Sequence, residues 1–237
     1  MKDKNSFKVS VVMPSYNERE NITEAILRIS KSLGKNLYEI IVVDDNSPDK
    51  TWKIVQDMKN PHYKVIRRIN ERGLASAIAT GVESAEGNVV VWLDCDLGIR
   101  PEEIPRLVEK LNKYDVAIGS RYVNGGKEIR PWWRAQLSFL INFFARMMLG
   151  FKIKDYTSGF IAVKKEVLDT IKLSREGFGE YFIEFMYACT KNNLRIIEVG
   201  YLYSKRKNGV SKSDGDIWQL LKYGFHYGMK IIKLRFN

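Results

Sequence analysis

The chain has 237 residues, of which 45% are hydrophobic and 28% are charged, a composition typical of globular proteins and not of low-complexity chains. Its formal net charge of +11 predicts an anionic partner, which is a nucleic acid, an anionic membrane surface or a phosphorylated substrate. The length fits one large domain or two small ones, and we expect a single domain over residues 1–237.

Cysteine and histidine usage limits the chemistry and the compartment. Cys95 and Cys189 fit neither a zinc pattern nor a disulfide framework, so a reducing, cytoplasmic setting is expected. His62 and His226 pair with neither cysteine, which argues against chemistry built on histidine. We find no signal-peptide pattern after Met1, and no apolar run reaches the length of about 18 residues that spans a bilayer.

Short β-branched runs alternate with helical patterns in the first half of the chain. The runs FKVSVVMP, YEIIVVDD, YKVIRRI and NVVVWLD are separated by helical patterns near residues 20–33, 50–59 and 74–85. This order predicts an α/β fold with a mostly parallel sheet and helices on both faces. The runs IIVV and VVVWL lack polar alternation, as expected of strands buried on both sides.

The second half contains two long apolar or amphipathic patterns. A strand over 115–122 precedes the basic, aromatic RPWWR, and GFIAVKK, a helix near 179–192 and RIIEVG follow later. The apolar run at 137–150 is interrupted by Asn142 and Arg146, and we predict an interfacial helix over 133–150; a buried core helix is the alternative. An amphipathic helix predicted over 214–235 also favours an anionic leaflet.

Asp94 and Asp96 directly follow the fourth predicted strand. Carboxylates at positions i and i+2 of an extended segment point the same way and repel each other unless a cation or a donor lies between them. The pair therefore indicates a divalent metal site. A solvated turn before the next helix is the equal alternative, because Pro101-Glu102-Glu103 is typical of a first helical turn.

Polar residues follow three of the predicted strands, at 14–18, 44–47 and 94–96. In parallel α/β sheets, ligands bind beyond the carboxyl ends of the strands, where these residues lie. The motifs GxGxxG and GxxxxGK[ST] are absent, which argues against a Rossmann dehydrogenase and a P-loop ATPase. The buried strands and acidic loops also argue against a nucleic-acid-binding module, so no nucleic acid is expected as partner.

Six motifs occur in order between about Val9 and Lys212: PSYNERENI, IVVDDNSPDKT, RGLASAIATGVESAEGNVVVWLDCDL, GSRYVNGG, YTSGFIAVKKEVL and RKNGVSK. Together they resemble the signature series of family 2 GT-A glycosyltransferases, and more narrowly the dolichyl-phosphate mannose synthase and polyprenyl-phosphate hexosyltransferase branch. The resemblance implies the GT-A fold. It also implies transfer of a hexose, with inversion, from a nucleotide diphosphate sugar to a lipid phosphate, with GDP-mannose favoured as donor.

The resemblance implies a DxD motif at Asp94 and Asp96 that binds Mg²⁺ or Mn²⁺ and, through it, the diphosphate. Close relatives often carry Gln or Ser where this chain has Gly98, so metal coordination would depend more on Asp96 and water. The residues expected to contact the nucleotide sugar are Pro14, Tyr16, Glu18, Asp44, Asp45, Asp94, Cys95 and Asp96.

The lipid phosphate itself would be the nucleophile, since a phosphate monoester is largely a dianion at neutral pH and needs no strong base. Arginine binds phosphate through a planar fork of donors. The predicted acceptor phosphate site consists of Arg121, Arg134, Arg206 and Lys212, with Arg130 as a substitute for Arg134 and an ordinary surface cation as the alternative for each arginine. Asp155 is predicted as an auxiliary base or an acceptor-orienting group, with a turn or N-cap role as alternative.

The sequence thus predicts a metal-dependent hexosyltransferase, peripheral on the cytoplasmic face of a membrane, that acts on a polyprenyl (dolichyl) phosphate. Its expected catalytic residues are Asp94, Asp96, Arg121 and Asp155. Many relatives carry transmembrane helices after this region, so peripheral helices or a separate membrane-anchoring subunit would hold this chain. The alternatives are a UDP-glucose-dependent polyprenyl-phosphate glucosyltransferase, a family 2 transferase with a soluble glycan acceptor, and a silent membrane-docked subunit that binds nucleotide sugar.

Overall fold

The computed structural model describes residues 7–129, 131–204 and 217–236, with side chains of the last helix from Lys222 onward. Arg130, Arg206 and Lys212 lie outside the described residues. Their predicted contacts with phosphate therefore stay predictions.

The predicted strands and helices occur in the predicted order, with boundaries that differ by a few residues, and the structure adds short strands at Lys127–Glu128 and Leu202–Tyr203 and a short helix at Lys165–Thr170. The strands are β1 (Val9–Ser15), β2 (Leu37–Asp44), β3 (Tyr63–Arg67), β4 (Val89–Trp92), β5 (Val116–Ser120), β6 (Lys127–Glu128), β7 (Ile161–Lys164), β8 (Ile196–Gly200) and β9 (Leu202–Tyr203). The helices are α1 (Ile22–Leu33), α2 (Thr51–Asp57), α3 (Leu74–Glu83), α4 (Ile104–Lys110), α5 (Trp132–Leu149), α6 (Lys165–Thr170), α7 (Glu180–Lys191) and α8 (Ile217–Phe236).

The main sheet has the strand order β3-β2-β1-β4-β7-β5-β8, and a small second sheet pairs β6 with β9. Within the main sheet only β7 is antiparallel to its neighbours β4 and β5. The prediction of a mostly parallel sheet is therefore confirmed.

Apolar side chains extend from both faces of this sheet into two core clusters. Val12, Ile41 and Trp92 belong to one core cluster, which includes residues of α3, α5, α7 and α8. Val11 and Val42, one residue away along the same strands, belong to a second cluster with residues of α1 and α4. Successive side chains of a strand point to opposite faces, so a continuous apolar run is what two covered faces require.

The antiparallel direction of β7 decides where the polar loops meet. Ile161, the first residue of β7, pairs with Trp92, the last residue of β4, and with Ile118 of β5. The loop that enters β7 therefore lies beside the loops that leave β4 and β5. Residues 94–96, 121–122 and 155–160 share one edge of the sheet although they are far apart in sequence.

Helix α5 packs against α8, and each has one covered and one exposed side. Ala145 of α5 and Ile231 of α8 are fully buried in the first core cluster. The exposed apolar side chains of these helices include Phe139, Leu140, Phe143, Met147, Phe225, Met229, Ile232 and Phe236. Helix α5 thus has one side buried, as expected of a core helix, and one side exposed and apolar, as expected of an interfacial helix. Among the described residues, we find no helix long and apolar enough to cross a membrane.

Gly119 in β5 provides a stability prediction, because its missing side chain makes room for two core rings. Phe160 and Tyr201 pack edge to face with centroids 5.5 Å apart. A Cβ atom at position 119 would overlap Phe160 Cδ1 and lie 3.0 Å from Tyr201 Cδ1. Gly119→Ala should lower the free energy of unfolding by about 1–3 kcal/mol, the usual cost of overpacking, as measured by urea denaturation.

Gly228→Ala is the matched control for this prediction. Gly228 lies within α8, and an added Cβ atom would meet nothing within 4 Å. Alanine favours the helix by roughly 0.5–1 kcal/mol over glycine, so this variant should be at least as stable as the parent chain. Equal unfolding curves for the two variants would contradict the packing argument.

Candidate functional site

A cavity of about 660 Å³ lies at the carboxyl edge of the main sheet. It is lined by the loops after β1, β2, β4 and β5, by the loop before β7, and by residues of α5 and α8. Of the residues predicted to contact the nucleotide sugar, those that line it are Pro14, Tyr16, Glu18, Asp45, Asp94, Cys95 and Asp96. The position agrees with the general location of ligands in parallel α/β sheets.

The side chain of Asp44, a predicted contact of the nucleotide sugar, lies in the turn after β2. Its side chain is fully buried, and its two carboxylate oxygens accept hydrogen bonds from Ser47 N (2.7 Å) and Ser47 Oγ (2.6 Å). It is absent from the described lining of the cavity. Asp44 therefore stabilises the turn after β2, whereas its neighbour Asp45 lines the cavity.

Asp45 lies at the cavity and is held from two directions. Arg68 Nε donates to its Oδ1 atom at 2.7 Å, and Gly73 N donates to its Oδ2 atom at 2.9 Å. Arg68 is itself buried, so the ion pair stays in place and fixes the loop before α3. The hydrogen bond from Gly73 N to Asp45 thus connects the start of α3 to the loop after β2.

Arg72 is a cavity residue that the sequence analysis missed. Its guanidinium carbon lies 3.9 Å from the ring centroid of Tyr16, a geometry suited to a cation–π interaction. Both residues line the cavity. The available signal was its position in the ERGLASA loop, directly before a helix that opens at the carboxyl edge of the sheet.

The aspartate couple occupies the loop after β4. Asp94 is exposed, whereas Asp96 is only 7% exposed and accepts a hydrogen bond from Gly98 N on its Oδ1 atom at 2.9 Å. Leu97 has a positive φ of 62°, which is uncommon for a residue with a side chain and turns the chain back at this point. The backbone N–H of Gly98 thus orients the Asp96 carboxylate.

Two carboxylates cannot surround a metal ion by themselves. Within the ranges that the structure describes, no group of three or more His, Cys, Asp or Glu side chains could hold a metal. Mg²⁺ is commonly bound by one or two carboxylates together with substrate phosphates and water. The couple can therefore supply only part of the ligand set of a divalent ion.

Arg121 and Asp155, both predicted site residues, form one buried ion pair. Arg121 Nε and Nη2 donate to Asp155 Oδ2 and Oδ1 at 2.9 and 2.7 Å, and Arg121 N donates to Oδ2 at 2.9 Å. Burial alone would lower the pKa of the Arg121 guanidinium, but attraction by Asp155 outweighs it and raises the pKa well above its usual value. Because both Asp155 oxygens are engaged, the geometry supports an orienting role over that of a base.

Two further residues hold the loop that carries Asp155. The Glu198 carboxylate accepts hydrogen bonds from Lys154 N (2.8 Å) and Asp155 N (3.0 Å), and burial raises the pKa of Glu198. Asn142 Oδ1 accepts from Tyr156 N at 2.7 Å. Every one of these bonds reaches the loop backbone, so the loop has little freedom to move without losing buried hydrogen bonds.

Asn142 connects the apolar helix α5 to the ion pair. Its Nδ2 atom donates to Thr157 Oγ1 at 2.8 Å, and Arg121 Nη2 donates to the same oxygen at 2.8 Å. Asn142 is 2% exposed, so what the sequence showed as an interruption of an apolar run is an internal polar contact. No local pattern predicts its partners.

Arg134 also reaches the cavity, from the first turn of α5. It is buried and its guanidinium carbon lies 4.9 Å from the ring centroid of Trp133.

Helix α8 adds a wall of the cavity that the sequence analysis did not assign to the site. Its cavity residues are Tyr223, Gly224, Phe225 and Tyr227, and Tyr223 stacks on Phe178 with centroids 4.8 Å apart.

Comparison with known proteins identifies one matching family. The family model described as "Glycosyl transferase family 2" matches residues 10–172. A curated relative, "Dolichol-phosphate mannosyltransferase" of Pyrococcus furiosus, is 42% identical over 225 residues, which cover 91% of this chain and 62% of that protein. The chain thus spans less than two thirds of the length of that relative.

Other relatives match over more of their own length. "Polyprenol monophosphomannose synthase" of Mycolicibacterium smegmatis is 35% identical over 86% of this chain and 80% of that protein. "Undecaprenyl-phosphate mannosyltransferase" of Micrococcus luteus is 31% identical over 89% of each.

Among solved structures, glucosyl-3-phosphoglycerate synthase from Mycobacterium tuberculosis, in complex with Mn²⁺, UDP and glucosyl-3-phosphoglycerate, superposes with a TM-score of 0.74. The match covers 97% of this chain and 80% of that one, at 18% sequence identity. At this identity the likeness shows the fold. It confirms the predicted GT-A architecture.

The Asn142 contacts provide a prediction for the site. Asn142→Leu would leave Tyr156 N buried without an acceptor, which costs about 1–3 kcal/mol of unfolding free energy. Urea denaturation should show this loss. Asn112→Leu is the control, because Asn112 is exposed and its Nδ2 atom bonds only to Glu109 O of its own turn. A loss of the same size in both variants would contradict the role of Asn142.

Proposed function

The chain belongs to glycosyl transferase family 2, and on that premise we propose that it transfers a hexose from a nucleotide diphosphate sugar to a polyprenyl phosphate. The observation that carries the proposal is the cavity, which places the Asp94–Asp96 couple and the arginines Arg121 and Arg134 around one space walled by apolar side chains. All three curated relatives described above have names that specify a lipid phosphate and mannose. Mannose is therefore the favoured sugar, and GDP-mannose is the proposed donor because the resemblance of the sequence motifs implies it.

The nucleotide part of the donor would lie along the loops after β1 and β2. Tyr16, stacked under Arg72, offers an aromatic wall, and Asp45 offers carboxylate oxygens held by Arg68 and Gly73 N. Pro14, Glu18 and Cys95 complete this side, with Cys95 Sγ 3.3 Å from Pro14 O. Arg72 adds a cation close to where a diphosphate would pass.

Asp94 and Asp96 would hold Mg²⁺ or Mn²⁺, which supplies positive charge to the departing nucleotide diphosphate. The backbone N–H of Gly98 orients Asp96 for this role. Glucosyl-3-phosphoglycerate synthase, which shares the fold, was crystallised with Mn²⁺ or Mg²⁺ and UDP, and this supports the proposed use of a divalent ion.

The acceptor phosphate would lie on the side of Arg121 and Arg134. Asp155 keeps the Arg121 guanidinium in one orientation, so its positive charge is positioned before the acceptor arrives. Arg134 stands in the first turn of α5, where the helix dipole also favours an anion. Leu137, Leu140 and Ile141 of the same helix offer an apolar path for the prenyl chain.

A polyprenyl phosphate stays in the bilayer, so the proposal places the chain at a membrane surface. The exposed apolar sides of α5 and α8 support this position. The single-domain organisation, the cytoplasmic side and a separate anchoring subunit are parts of the same proposal.

A soluble phosphorylated acceptor is the second candidate. It is favoured by the fold neighbour, which was crystallised with UDP and phosphoglyceric acid. The apolar lining that α5 and α8 contribute, including Leu140 and Phe225, distinguishes the two, because a small hydrophilic acceptor has no use for it.

Transfer can be tested with labelled GDP-mannose, labelled UDP-glucose and a short prenyl phosphate. We expect label from GDP-mannose to enter the organic phase, and chelation of divalent ions to stop it. Transfer that is independent of divalent ions would contradict the role of the aspartate couple. Label that enters only a water-soluble product would support the second candidate.

Asp96→Ala should lower the turnover number by roughly 10²–10³-fold, the usual effect of removing one group that stabilises developing charge. Asp169→Ala is the control, because Asp169 is exposed on α6, outside the described lining of the cavity. Both variants should unfold at the same urea concentration as the parent. Undiminished turnover of the Asp96 variant would remove this residue from the mechanism.

A further inference from the structure

A second groove, of about 260 Å³, lies on a different face of α5 from the cavity. It is lined by Tyr122, Phe139, Asn142, Phe143, Arg146 and Lys154. Apart from Asn142, whose polar atoms face the loop before β7, none of these residues has a role in the proposed reaction.

The groove contains two cations that have no acidic partner in the described part of the chain. Neither Arg146 nor Lys154 takes part in an ion pair there. The carboxylates that hold the adjoining loop, Asp155 and Glu198, are engaged by Arg121 and by backbone N–H groups. The groove is therefore positively charged and open to an anion.

Arg146 carries a more specific sign of a missing ligand. Its Nε atom is buried and has no hydrogen-bond acceptor in the described structure. An unsatisfied buried donor costs about 1–3 kcal/mol, and more when it is charged. The guanidinium carbon lies 5.3 Å from the ring centroid of Phe151, which holds the group in place without supplying an acceptor. An oxygen of an anion in the groove would supply this acceptor after a small shift of the side chains that now cover Nε.

Exposed apolar side chains surround these cations. Phe139 and Phe143 are 46% and 45% exposed, and their rings stack with centroids 6.3 Å apart. Met147 and Phe151 are 58% and 63% exposed. Cations beside exposed aromatic and aliphatic side chains match the boundary between headgroups and acyl chains, where the phosphate of a lipid lies next to its hydrocarbon.

We propose that this groove binds the headgroup phosphate of an acidic phospholipid in the bilayer. Arg146 and Lys154 contact the phosphate, and Phe139, Phe143 and Met147 enter the acyl region. The site is distinct from that of the acceptor phosphate, which lies across α5 at Arg121 and Arg134. It rests on the proposed membrane-surface function only for its biological setting, because its test measures lipid binding.

Flotation with phosphatidylcholine vesicles, with and without phosphatidylglycerol, tests the proposal. The double variant Arg146→Gln/Lys154→Gln should bind phosphatidylglycerol vesicles about 30-fold less tightly, the change that corresponds to about 1 kcal/mol for each basic residue. Binding to phosphatidylcholine alone should stay unchanged, because the aromatic side chains remain. Arg146→Lys keeps the charge but lacks Nε, so it should also bind phosphatidylglycerol vesicles several-fold less tightly.

Lys110→Gln/Lys113→Gln is the matched control, because it removes the same charge beside the start of β5, at the opposite edge of the sheet. If the control lost as much affinity for phosphatidylglycerol vesicles, the effect would come from net charge alone, and the proposal would be overturned. Unchanged binding of the groove variants would do the same.

Transfer to a water-soluble short-chain prenyl phosphate, without vesicles, separates this site from the acceptor site. The groove variant should retain the parent rate. A large loss of this transfer would place the acceptor phosphate in the groove and overturn the proposal. If the parent chain itself transfers no sugar, the proposed function fails while flotation still decides the lipid site.

Discussion

The buried ion pair between Arg121 and Asp155 is the interaction on which the rest of the cavity depends. Two charges removed from water are stable only when they are paired and hydrogen-bonded. Here the carboxylate accepts three bonds from Arg121, while Glu198 and Asn142 hold the loop on either side of Asp155. Arg121 therefore presents its charge in one fixed orientation, as the proposed binding of an acceptor phosphate near a nucleotide diphosphate requires.

Helix α5 contributes to each function that the structure supports. One face, with Arg134 and Leu137, lines the cavity, and Asn142 reaches the loop of the ion pair. A third face exposes Phe139 and Phe143 beside Arg146. Helix α5 thus joins the proposed reaction centre to a surface suited to lipid. The same helix would bind the lipid and position side chains at the cavity.

The distribution of charge around the cavity suits the two anionic ligands of the proposed reaction. The aspartate couple alone would repel a diphosphate, and it becomes useful only with a divalent ion between the two. In the proposed reaction, the arginines around the cavity contact phosphate directly. Carboxylates that bind a metal ion and arginines that bind phosphate can therefore line the same cavity of a strongly basic chain.

The sequence by itself determined the alternation of strands and helices, the burial of the sheet on both faces, and the family, because these depend on local periodicity and on motifs in order. It also located Asp94, Asp96 and Asp45, since residues that follow parallel strands meet at one edge. Only the tertiary structure decided that Asp44 holds a turn, that Arg72 covers Tyr16, and that Arg121 pairs with Asp155. These contacts join segments distant in the chain, and the antiparallel insertion of β7, which no local pattern records, brings the last two together.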